Sequence, residues 1–305
     1  MTVIKTEIAD RKAQSAVPLY DSDLVVSGGG SQGITEVAAI RALSRVIHFR
    51  RVGGASVGAI IASGLALGFT PDFMVKAFVK LLTRGDLEDW KFPGPFKPLG
   101  LIHGRGGMMK GRMLREALTE IFGKACIGEA VLPLRIKVGC LSKRRTETVY
   151  SDIESHKKLS IVDVCMCSAA VPGLIDNQQL DPHNVTGPRA ANELYCDGGT
   201  GNNVPRAIWD DAGDEEVRPT TVVRFVDDEK PLPARTPREK IAAYWNIMRD
   251  AAESEVSKKP SALVWDVPIA VDGSAMDFSL TPQECERRVQ IGDAAGARWI
   301  ADNNS

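Results

Sequence analysis

Residues 57–68, VGAIIASGLALG, carry apolar or small side chains on every side of a helical wheel and not one charge. A helix with no face to offer solvent must be enclosed all round, and a chain achieves that by packing it between a sheet and further helices. The flanking sequence supplies such a sheet. DLVVS at 23–27 reads as a short strand that runs into GGGSQG, and ITEVAAIRALSRVI then places Ile40, Leu43 and Ile47 at helical spacing. RRVGGAS leads straight into the apolar helix. Thr70 and Pro71 open a third helix with Met74, Phe78 and Leu81 on one face, and a fourth runs from about Gly111 to Phe122 and stops at Gly123. LRIKVGCL at 134–141, the turn SKRR and TETVYS read as a hairpin. Residues 160–172 read as a short buried helix ended by Pro172. ELYCDGG, TTVVRFVDD and SALVWDVPI read as strands, and Thr236/Glu239 and Thr281/Glu284 as two capping boxes behind prolines.

Strands alternating with helices predict an α/β fold with a largely parallel central sheet flanked by helices on both faces. A length of 305 residues is compatible with one large core. The expected organisation is an N-terminal extension at 1–22, then a single domain at 23–302 with a flap or insertion at about 70–125. Hydrophobic residues make up 44% of the chain, charged residues 25%, and the formal net charge is −1, so no nucleic-acid partner is expected. The charged N-terminus reads as neither a cleavable signal peptide nor an anchor, and no run reaches the roughly 20 apolar residues of a transmembrane span. Six scattered cysteines fit reduced thiols and a cytoplasmic location, peripheral at membranes. Cys165 and Cys167 lack a second ligand pair, so neither a metal nor a cofactor is expected.

Gly54, Ser56 and Gly58 form GxSxG between a predicted strand and a predicted helix, the context in which a serine nucleophile sits on a sharp turn. The following helix would direct its N-terminal partial charge at that serine. The pentapeptide alone leaves a second reading open, a small-residue turn that permits close packing. A base is needed. The histidines are His48, His103, His156 and His183. None follows residue 183, and the last three read as solvated loop positions. Asp197, after ELYC and before Gly198 and Gly199, would place a carboxylate at a strand end, where desolvation raises its proton affinity. Taken alone, DGG reads as a turn, since Asp-Gly is a strong turn signal. SGGGSQG at 27–33 exposes backbone amides suited to an oxyanion, at Gly28, Gly29, Gly30, Ser31 and Gly33. The rival dinucleotide reading of GxGxxG lacks the acidic residue expected about 20 positions on.

In this order, SGGGSQG, GASVG, CSAAVPGLI at 167–175 and YCDGGTGNNVP at 195–205 resemble the patatin-like phospholipases, as does GGMMKGRMLREALTEIFG between them. The resemblance implies a three-layer α/β/α patatin-like fold, with Ser56 as nucleophile and Asp197 as base of a Ser-Asp dyad. It also implies an oxyanion hole at the glycine loop, chiefly Gly29 and Gly30, supported by Gly54, Gly58, Gly198 and Gly199. The implied substrate is a phospholipid or lysophospholipid, met in transient contact with a membrane surface. Gln32 departs from the family, which usually has Arg or Lys there. An acyltransferase or general carboxylesterase on the same fold and an inactive lipid-binding relative stay open. The transacylases of related topology carry a histidine before the serine, where this chain has Ala55. Residues 85–107, rich in Trp90, Phe92, Phe96, Leu99, Leu101 and Ile102, read as a loop packed on its own core or as an interface-seeking flap. Ile241, Tyr244, Trp245 and Met248 read as core or as an acyl pocket.

Overall fold

The computed structural model describes residues 20–92, 94–102, 106–180, 193–211, 218–226 and 261–303. The predicted helix at Thr236 with its acyl-pocket candidates, His103, His183 and residues 1–19 of the N-terminal extension lie outside them.

Seven strands form the central sheet, in the order β5-β4-β2-β1-β8-β9 with β7 also on β4. They are β1 (Tyr20–Val26), β2 (Ile47–Ala55), β4 (Leu134–Cys140), β5 (Arg145–Tyr150), β7 (Tyr195–Asp197), β8 (Thr220–Val226) and β9 (Val264–Ala270). β4, β2, β1, β8 and β9 run parallel, while β5 and β7 run antiparallel to β4. A parallel pair, β3 (Gly107–Met109) with β6 (Gly173–Ile175), stands apart. The helices around the sheet are α1 (Gly33–Leu43), α2 (Val57–Ala66), α3 (Pro71–Thr83), α4 (Arg112–Phe122), α5 (Ile161–Ser168), α6 (Gly199–Asn202) and α7 (Pro282–Asn303).

Alternation along the strands divides the core. Leu24 and Val26 of β1 and Val223 and Phe225 of β8 join the large cluster built with α1, α2, α3 and α5. Val25 and Val222 face the other way, onto Val204, Ile208 and Trp209. Every residue of α2 is buried, as its lack of a polar face requires. Thr70 caps α3 by accepting a hydrogen bond from Phe73 N at 3.1 Å.

Three boundaries and one cap differ from the sequence reading. Tyr20, Asp21 and Ser22, assigned to the extension, belong to β1, because their backbone pairs with Ile47, His48 and Phe49. Ile47 therefore starts β2 and does not continue α1. α5 ends at Ser168, four residues before Pro172. Val171 precedes a proline and is disfavoured in helix, and the carbonyl of Ala170 accepts a hydrogen bond from Asp197 N at 2.9 Å. At α7, Thr281 Oγ1 caps Glu284 N at 3.1 Å, but the Glu284 carboxylate turns forward to Arg287 and Arg288 instead of back to the cap. α7 lies close on α1: a Cβ on Gly292 would stand 2.1 Å from the Thr35 carbonyl oxygen.

Candidate active site

β4 acts as a template on which two distant chain segments meet. β5 occupies one edge along 135–140. β2 pairs with β4 over Leu134–Lys137, ending with Ala55 opposite Lys137. β7 continues from there in the opposite direction, ending with Asp197 opposite Val138. The two strands abut end to end, and the residues at their junction touch: Ser56 Oγ donates to Asp197 Oδ2 at 2.6 Å across 141 residues of sequence.

The backbone at Ser56 holds a conformation that side chains rarely adopt, φ 54° and ψ −125°, between strand and helix. Gly58 permits it, since a Cβ there would stand 2.3 Å from Val26 O. Gly54 lies in β2 against Gly58, and Gly198 lies where a Cβ would meet Lys137 O at 2.2 Å. Gly199 donates its amide to Asp197 Oδ1 at 2.6 Å. Ser56 is 7% exposed and Asp197 2%. Burial pushes the Asp197 carboxyl up to about 7, partly offset by the hydrogen bonds from Ser56 and Gly199. No cation pairs with Asp197 among the described residues.

The five glycine-loop amides are not equivalent. Gly28 N is engaged with Asn203 O at 3.1 Å, Ser31 N with Ala275 O at 2.9 Å, and Gly33 N with Gly30 O. The sequence reading counted all three as oxyanion donors, but their hydrogens are already committed. Gly29 N and Gly30 N have no partner among the described residues and are the donors left to serve a ligand. Gly30 takes φ +55°, and a Cβ on it would meet Ala275 O at 2.2 Å. Gln32 directs its side-chain amide to Gly273 O at 3.2 Å.

Three residues at the site have roles that the sequence reading did not assign. Ser168 Oγ accepts from Ser56 N at 2.9 Å and donates to Lys137 O at 2.7 Å, bracing the turn. Asn203 grips Gly28 through its main-chain carbonyl and through Nδ2, which donates to Gly28 O at 3.3 Å. Glu36, fully enclosed, accepts from Ser27 Oγ at 2.6 Å, and burial raises its carboxyl well above the usual range. His156 corrects the sequence reading. It is buried, not solvated, because Nδ1 accepts from Tyr150 N at 3.0 Å and the ring stacks on Tyr150.

Cys165 and Cys167 are buried within α5, in no disulfide. Cys140, Glu147 and Glu193 have ligand atoms within 4.8 Å of one another, and the carboxylates are already paired: Lys143 Nζ stands 3.1 Å from both, and Arg145 Nη2 3.1 Å from Glu147.

The family model described as patatin-like phospholipase matches residues 24–208, which contain both ends of this junction. The chain belongs to the patatin-like phospholipase family. Membership supports lipid ester hydrolysis as its general activity. YqhO of Bacillus subtilis is 26% identical to this patatin-like chain over 292 residues, 88% of the chain and 94% of that protein. The patatin-like phospholipase domain-containing protein ZK370.4 of Caenorhabditis elegans is 27% identical over 191 residues, 62% of the chain and only 13% of that protein. The crystal structure of VipD from Legionella pneumophila superposes with a TM-score of 0.51 at 18% identity, covering 94% of this chain and 68% of that one, a likeness of patatin-like fold. Among the described residues no helix is long and apolar enough to cross a membrane.

Proposed function

We propose that this chain is a serine lipid acyl hydrolase that releases fatty acid from phospholipid or lysophospholipid esters through an acyl-enzyme on Ser56, with Asp197 as base. The observation that carries the reading is the 2.6 Å hydrogen bond from Ser56 Oγ to a carboxylate whose proton affinity burial has raised to about 7. A base acts best when its pKa lies near the working pH, and an ordinary aspartate near ~3.9 would be a poor acceptor for an alcohol proton.

In the first step Asp197 Oδ2 takes the hydroxyl proton as Ser56 Oγ bonds to the ester carbonyl carbon. The carbonyl oxygen becomes an oxyanion within reach of the Gly29 and Gly30 amides. Collapse breaks the ester C–O bond, and the departing alkoxide takes the proton from Asp197. Water then gives a proton to Asp197 and attacks the acyl carbon. The fatty acid leaves and the proton returns to Ser56 Oγ.

Contact with a lipid surface is supported by residues 94–102, where Phe96 is 58% exposed and Ile102 77%, with Leu99 also exposed. Lys97, Lys110 and Arg112 line an adjoining surface cavity of about 440 Å³ with Glu88, Asp89 and Trp90. Lys97 Nζ sits 3.8 Å above the Trp90 ring. Apolar side chains beside cations suit an anionic phospholipid surface.

The test measures fatty acid released from phospholipid and lysophospholipid vesicles, with labelling by a fluorophosphonate. Ser56→Ala is expected to abolish both release and labelling, and Asp197→Asn to lower release at least about 1,000-fold. Full activity in Asp197→Asn would remove the dyad. Adding lysolipid or alcohol acceptors separates transfer from hydrolysis.

A further inference from the structure

Arg288 is among the largest side chains the fold buries completely, 2% exposed, on a helix that lies beyond the stretch matched by the family. Enclosing a guanidinium is costly unless its hydrogens find acceptors. Arg288 Nε donates to Glu284 Oε1 at 3.0 Å. Its Nη1 donates to Ser31 Oγ at 3.1 Å, across 257 residues of sequence. Ser31 sits between Gly30, whose amide is uncommitted, and Gln32.

The hydroxyl and the amide of Ser31 are both committed to the same side. Its hydroxyl accepts from Arg288 and donates to Ser274 O at 3.3 Å, and its amide donates to Ala275 O at 2.9 Å. Gln32 holds Gly273 O from the adjacent position. Residues 273–275 and Arg288 thus form a rigid backing for the glycine loop. Behind Arg288 the charges continue in a chain. Arg287 pairs with both Glu284 and Asp272, and the Glu284 carboxyl is pulled down to about 2, first by its hydrogen bonds to Arg287. Glu284 stays ionised across the working range and keeps Arg288 fixed.

We propose that Arg288 is a positioning residue for the oxyanion donors. Held by Glu284, it grips Ser31 and so sets where the Gly29 and Gly30 amides point. Donors fixed in advance stabilise a developing oxyanion, whereas donors that must first be ordered lose much of that effect. The proposal rests on the acyl-hydrolase reading, and it extends the working site from the glycine loop to the C-terminal helix.

The experiment uses the full chain and a soluble p-nitrophenyl ester, with active sites counted by fluorophosphonate burst so that rates refer to folded molecules. Arg288→Met is expected to lower kcat about 10- to 100-fold while KM changes less than about 2-fold. Arg288→Lys, which keeps a donor and the charge, is expected to recover part of kcat. Ser31→Ala is expected to lose kcat in the same direction, and adding it to Arg288→Met should cost little more, since both remove one contact. Should Arg288→Met fail to fold, Arg288→Lys and Ser31→Ala decide. An unchanged kcat per active site in Ser31→Ala, or losses that multiply in the double variant, would overturn the proposal. An active Ser56→Ala would overturn the hydrolase reading instead, so the two failures are distinguishable.

Discussion

Asp23 and Asp197 are both buried, 0% and 2% exposed, and both belong to strands of the same sheet. Their surroundings differ in one respect. Asp23 receives a two-pronged ion pair from Arg51, Nε to Oδ1 at 2.8 Å and Nη2 to Oδ2 at 2.5 Å, with Arg218 at 3.8 Å. Arg51 in turn lies against the Trp209 ring at 4.8 Å, beside Arg135 at 4.7 Å. Among the described residues the Asp197 carboxylate accepts from a hydroxyl and an amide. Burial alone therefore does not decide what an enclosed carboxylate does. A guanidinium turns it into a fixed strut of the sheet, while neutral donors leave it with a proton that moves near neutral pH.

The contrast can be broken at Arg51. Arg51→Met would remove the nearer guanidinium and leave Asp23 enclosed beside the more distant Arg218. A loss of about 3 kcal/mol is expected in chemical denaturation, with turnover per active site nearly unchanged. Asp197→Asn should move stability the other way. The folded state holds the Asp197 proton up to about pH 7, against 3.8 as the unperturbed value, so this group's contribution falls as pH rises between those points. The variant should match the parent near pH 4 and exceed it by up to about 4 kcal/mol above pH 7, read from denaturation at both pH values. A parent that gains stability over that window relative to the variant would contradict the assignment. The same titration governs the rate: kcat/KM should fall about tenfold per pH unit below about 7 as Asp197 takes up a proton, and level off above it. The smallest effect is expected at Ser168. Ser168→Ala leaves the Ser56 amide without its acceptor, at a cost of about 1 kcal/mol in stability and a several-fold drop in kcat.

What could be read in advance was local. The apolar wheel of α2, the Thr70 and Thr281 caps and the hairpin of β4 and β5 each declare themselves within one short stretch of chain, because period, turn and capping chemistry act locally. The glycine loop, the serine turn and the DGG turn were legible as separate turns for the same reason. Their meeting was not. It depends on β7 settling onto the edge of β4 that β2 has just vacated, a pairing between strands that no spacing announces. The roles of Ser168, Asn203 and Arg288 were hidden likewise, since a serine in an apolar helix or an arginine in a charged one looks ordinary until its partner arrives from far along the chain. His156 and the early end of α5 were misread because polar neighbours and a downstream proline outweighed the tertiary contacts that decide them.

The end-to-end junction of β2 and β7 has a consequence for how such a chain can change. Separation between the hydroxyl and the carboxylate is set by main-chain register on a third strand, and so does not depend on the length of the excursion from Leu141 to Leu194. Loops in that excursion can be lengthened or exchanged without moving the pair, provided β5 stays on β4 and α5 still returns Ser168 to the turn.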